Sequence, residues 1–141
     1  MTPIRRKYYD KLGRSFGSNP PSWATGGGLG TADSNPDFIC RGLGLGGFNG
    51  SGEDWVQDIA NALRLAVRSR VLYGMYSEPT IAYDRKRIKL NARSDVAGFG
   101  GGAVAMRMLK STLWAAEQQG RLAMPSALKL RISGALIEIY V

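Results

Sequence analysis

From Trp55 onward the apolar residues keep a helical period. Trp55, Val56, Ile59, Leu63, Ala66, Val67 and Val71 recur at three- and four-residue steps and form one stripe. Ser51 stands before the stripe as a cap, with Asp54 three positions on and Glu53 in the first turn, where carboxylates suit the positive helix end. Gly74 is the expected stop. The period then changes to two. Ile81 and Tyr83, then Ile88 and Leu90, alternate with polar residues around the charged tip "DRKR", which predicts a hairpin. A second helical stripe starts near Ala103 with Val104, Met108, Leu109, Leu113 and Ala116, and Gly120 ends it. The last stretch, "ALKLRISGALIEIYV", alternates on both sides of Ser133-Gly134, through Leu128, Leu130 and Ile132, then Ile137, Ile139 and Val141. It is the clearest hairpin in the chain.

Residues 1–52 keep neither period for long. They hold 12 of the 19 glycines and 4 of the 6 prolines, so turn-formers punctuate them throughout. Such a segment buries too little apolar surface to offset its own ordering entropy. Yet Tyr8, Tyr9, Phe16, Trp23, Phe38 and Phe48 are spaced through it like anchors. The expectation is an extended glycine-rich arm, residues 1–52, whose aromatics contact neighbouring subunits, with "RGLGLGGFNGSG" as its hinge. Residues 53–141 then form a compact α+β core, in the order helix, hairpin, helix, hairpin. Two helices should pack on an antiparallel sheet of about four strands. The helix–hairpin pattern occurs twice at a spacing of about fifty residues, although Trp55 and Trp114 do not align under it.

Composition adds a sign. With 19 Lys and Arg against 11 Asp and Glu the net charge is +8, which favours anionic partners. The cations gather in three places: Arg5, Arg6 and Lys7; Arg64 and Arg68, four apart on one helical face; and Arg85, Lys86 and Arg87 at the first hairpin tip. Such groups suit nucleic-acid phosphates or an acidic protein surface alike. No run of apolar residues has the length of a signal peptide or a membrane span, so synthesis in the cytoplasm without insertion is the expectation.

The candidate chemistry is sparse. Histidine is absent, and the single cysteine, Cys40, excludes an internal disulfide. Cys40 has only Arg41 beside it to lower its pKa and reads as an apolar anchor of the arm. Gly42, Gly44 and Gly47 spell G-x-G-x-x-G, and "GFGGGA" at Gly98 to Ala103 comes close. A dinucleotide fingerprint needs a strand before it and a parallel crossover after it, and neither stretch offers them. Both read as free backbone. Glu78, Asp84 and Lys86 read as a solvated turn with local ion pairs rather than a metal site, and the adjacent Lys110 and Ser111 cannot face each other on a helix.

These features point to a structural subunit of a large assembly, such as a head, connector or tail protein of a phage virion. Its partners would be copies of itself and other subunits, without catalysis, cofactor, membrane or small-molecule substrate. The alternative is a basic nucleic-acid-binding or ribonucleoprotein subunit. Steep salt dependence of binding would mark the second.

Overall fold

The computed structural model describes residues 35–93 and 101–141. Three helices and four strands follow in the order α1 (Pro36–Gly42), α2 (Trp55–Val67), β1 (Thr80–Ile81), β2 (Arg87–Asn91), α3 (Gly101–Gln118), β3 (Lys129–Ser133) and β4 (Leu136–Tyr140). The class is α+β, with a four-stranded antiparallel sheet ordered β1-β2-β4-β3. The second strand of each hairpin lies at the centre, so the helix–hairpin topology repeats although the tryptophans do not. The described unit also includes residues 35–52, which the sequence pattern assigned to the arm. Ile39, Cys40, Leu43 and Leu45 from that stretch are all buried in the common core.

The helix that the sequence pattern did not predict, α1, has standard punctuation. The Asn35 side chain caps it, accepting from the N–H groups of Asp37 and Phe38, and Pro36 takes the first turn, where no N–H is needed. It ends in a Schellman turn. Gly44 has φ +71°, its N–H donates to the Arg41 carbonyl, and the Leu45 N–H donates to the Cys40 carbonyl at 2.8 Å. Leu45 and Cys40, the pair such a turn brings into apolar contact, are 0% and 1% exposed. Gly120 ends α3 in the same way, with φ +70° and a bond from the Arg121 N–H to the Ala116 carbonyl.

The cap of α2 is Asp54 rather than Ser51. Its carboxylate accepts from the Val56 and Gln57 N–H groups. Ser51 turns instead to Asp58, one helical turn further in. The helix ends at Val67, before Gly74, and Val71 lies in the turns beyond it, 46% exposed. Trp55 is half-buried against the core, while Val56, Ile59, Leu63, Ala66 and Val67 are inside it.

α3 is the central helix. It packs on α1, α2 and β3, and every side chain from Ser111 to Glu117 is buried, Trp114 at 2% exposure. α2 covers the β1 and β2 side of the sheet. The helix-facing surface of the sheet is set by register: Ile81 opposite Ile88, Ile88 opposite Ile139, Leu90 opposite Ile137, then Ile139 opposite Leu130. Ile88, Leu90, Ile137 and Ile139 are at most 1% exposed. Complete burial of an isoleucine or leucine contributes about 1.5–3 kcal/mol, so this layer is a main source of stability.

Both hairpins form, with unequal strands. β1 has only two residues, and Tyr83, which the alternation placed in a strand, sits fully exposed in the turn. In the second hairpin Gly134, at φ +61°, begins the two-residue loop Gly134-Ala135. That position in a II′ turn requires positive φ, which glycine adopts without strain.

Candidate functional site

The glycine fingerprint has a structural task. Gly42 closes α1, Gly44 makes the Schellman turn, and a helix rather than a strand precedes them. The rest of the stretch is clamped, which corrects the expected hinge. Asp58, 3% exposed, accepts from the Ser51 N–H at 2.9 Å, the Ser51 hydroxyl at 3.0 Å and the Gly52 N–H at 3.0 Å. The Gly50 N–H donates to the Arg121 carbonyl at 2.7 Å, and Arg121 donates back to the Phe48 carbonyl at 3.0 Å. A Cβ at Gly50 would lie 2.9 Å from Asp58 Oδ2, so the backbone approach needs glycine. Of "GFGGGA", residues 98–100 lie outside the described residues.

Cys40 is buried as an apolar residue of the core, not of an arm. Burial pushes its thiol up to about 11, against a weaker opposing pull from Arg121. It therefore carries almost no thiolate at neutral pH. Glu78 and Asp84 each have their own arginine, Arg68 at 2.7 Å and Arg87 at 3.3 Å. Among the described residues no group of three His, Cys, Asp or Glu side chains is placed to hold a metal ion, and no helix is long and apolar enough to cross a membrane. Ser111 is buried beside Lys110 on α3. An open cleft of about 450 Å³ is lined by Val67, Arg68, Tyr73, Gly74, Tyr76, Glu78 and Arg93. The Arg68–Glu78 pair forms part of its wall, and the Tyr76 hydroxyl is committed to the Ala105 carbonyl at 2.8 Å.

The cations named from sequence do not form one patch. Arg5, Arg6 and Lys7 lie outside the described residues. Arg64, half-buried on α2, donates to Asn61 Oδ1 at 2.9 Å and to the Pro79 carbonyl. Arg68 is exposed and paired with Glu78. Arg85, at φ +57°, reaches from the hairpin tip to the cap of α2 and pairs with Asp54. Burial works against the Asp54 charge, yet Arg85 and the N–H groups of Gln57 and Val56 outweigh it and hold the carboxyl below its usual value. Lys86 is exposed, and its N–H is the main cause of a lowered pKa at Asp84. Arg87 alone turns onto the sheet.

There it joins a group that the sequence reading missed. Side chains that alternate with the buried isoleucines share the opposite surface of the sheet. The register sets Lys89 opposite Glu138 and Glu138 opposite Arg131, with Arg87 opposite Tyr140 and Tyr140 opposite Lys129. Four cations thus surround one carboxylate. Glu138, 8% exposed, holds Arg131 at 3.2 Å and Arg87 at 4.0 Å, and the Arg131 guanidinium lies over the Tyr140 ring at 4.8 Å. Lys89 and Lys129 have no carboxylate partner among the described residues. The signal was present in the strands themselves, since the polar positions of "RIKLN" and "KLRIS" carry the cations.

A different surface lies at α1. Phe38, on α1, is 53% exposed, and Gly42 lies one turn further along the same helix face. A Cβ at Gly42 would stand 3.9 Å from Val71, itself 46% exposed. Phe38 and Val71 thus flank a short apolar strip where residues 1–34 join the described chain. Phe48, named with Phe38 as a subunit contact, packs against its own core. Tyr8, Tyr9, Phe16 and Trp23 lie outside the described residues.

No protein-family model, curated protein or solved structure matches this chain.

Proposed function

We propose that the protein is a structural subunit of a large assembly, of the kind that builds a phage head, connector or tail. One observation carries the reading: Phe38 and Val71 present uncovered apolar surface at the root of an N-terminal segment that holds Tyr8, Tyr9, Phe16 and Trp23. An exposed apolar strip at the foot of an aromatic-rich segment fits a protein–protein contact. On this reading the segment and the strip bind a neighbouring copy or another subunit, and the protein works by binding, without cofactor, membrane or small-molecule substrate.

The described core also sets where the segment can be cut. Removing residues 1–40 would take away Ile39 and Cys40, which are core, so the informative truncation keeps residues 35–141. Light scattering should show the full chain forming larger particles than the truncated one, and Phe38→Ser in the full chain should reduce that size. Equal particle size for all three proteins, with folding verified by circular dichroism, would overturn the proposal.

A further inference from the structure

We infer that the open surface of the sheet binds single-stranded nucleic acid, independently of the assembly role. Arg87 and Lys89 stand on β2, Lys129 and Arg131 on β3, and β4 runs between them. Neighbouring strands lie about 4.8 Å apart, so the two cation pairs flank a band roughly 10 Å wide, with members of each pair about 7 Å apart along the strand. Down the middle of that band are Tyr140 and the aliphatic Leu136, with Glu138 between them. Glu138, together with Asp84 on Arg87, reduces the surface from four cations to a surplus of two positive charges. Its contacts also hold the Arg87 and Arg131 guanidiniums in place on the sheet. Tyr83 stands fully exposed in the turn beside Arg87, at the same end as Tyr140 and Lys129.

The chemistry fits one kind of polyanion. Two rows of cations can follow phosphates, while the Arg131 guanidinium stacked on Tyr140, and the exposed Tyr83 ring at the end of the band, offer flat surfaces on which unpaired bases stack whatever their sequence. A duplex would keep its bases stacked on each other and leave the rings without a role. An acidic protein would use the charges alone. The Arg64 and Arg68 side chains project from α2, which packs on the other side of the sheet, and do not extend this surface.

The test is fluorescence anisotropy on the full chain, with labelled thymidine and uridine oligonucleotides of roughly 16 nucleotides, the upper end of single-domain site sizes. Titrations at about 50 mM and about 200 mM salt give the slope of affinity against salt. Both oligonucleotides should bind the native protein, and a large preference between them would assign the strand as DNA or RNA. The double variant K89Q/K129Q should lose roughly tenfold or more in affinity and flatten the slope by about 1.4, as expected for two lost phosphate contacts. Y140L should weaken binding with the slope unchanged. R64Q/R68Q serves as the control and should bind as the native chain does. Thermal melting verifies that each variant folds, and the single change K129Q, at an exposed edge position, stands in if the double variant does not. No binding at the lower salt, tighter binding to a duplex of equal length, equal competition by polyglutamate, or equal losses in the two double variants would each overturn the inference.

Discussion

The two surfaces of the sheet are built from the same strands and share almost nothing else. On one, Ile88, Leu90, Ile137 and Ile139 meet the helices and are sealed from water. On the other, Arg87, Lys89, Lys129 and Arg131 surround Glu138 and Tyr140. Successive residues on one strand therefore belong to different physics: burial of carbon on the first surface, and screened charge on the second. The former can change little without unfolding the protein. The latter is free to serve a partner, because exposed charges add little to stability.

The comparison breaks most visibly at its inner layer. Ile139→Ala should cost about 2–5 kcal/mol of stability in urea unfolding, since the cavity lies between β2 and β3 beneath the helices. A loss under 1 kcal/mol would mean that the layer collapses around the deletion. Next in size is the loop clamp. Asp58→Ala leaves the Ser51 and Gly52 donors without their acceptor and should cost about 1–3 kcal/mol. Gly50→Ala should be destabilising for the steric reason given above, and normal stability of either variant would show that the loop is held from elsewhere.

The clamp and α1 also show where the sequence was legible and where it was not. The second hairpin could be read from residues alone, because strict alternation surrounds a glycine that suits its turn. α1 could not, although Asn35-Pro36 at its start and Gly44 after its end are ordinary helix signals. Seven residues give too few turns for a stripe to stand out, and flanking glycines made the whole stretch resemble an arm. Ser51 and Asp54 are both good caps, and only the buried carboxylate of Asp58 decides between them. The basic sheet surface needed a further fact. Its cations come from β2 and β3, which meet only through β4, and that order is a long-range pairing invisible to local periodicity.

A smaller effect should appear at high pH. An unfolded Cys40 loses its proton near its usual value of 9.0, and the buried one holds it to about 11. The stabilising difference is complete below about pH 9 and is lost as the pH rises through about 11, by proton linkage. Burial raises the Tyr76 phenol as well and adds to the alkaline loss. Cys40→Ala should make stability fall less steeply across that window, and a thiol reagent at neutral pH should label native Cys40 only as fast as the protein opens. Rapid labelling of the folded protein would contradict its place in the core. Least of all, Lys129→Ser should move stability by no more than about 0.5 kcal/mol.

Adjacent residues on β2 give the most direct test of the division between the two surfaces. Ile88 points to the core and Lys89 to the open side. Ile88→Val should lower stability by about 0.5–1.5 kcal/mol and leave oligonucleotide affinity unchanged for the folded protein. Lys89→Ser should leave stability nearly unchanged while weakening binding and flattening its salt slope by about 0.7. Measured side by side, the two substitutions should separate cleanly, one moving the unfolding midpoint and the other the binding curve. If Lys89→Ser left binding intact, or if both variants lost binding in proportion to stability, the open surface would not be a site of its own.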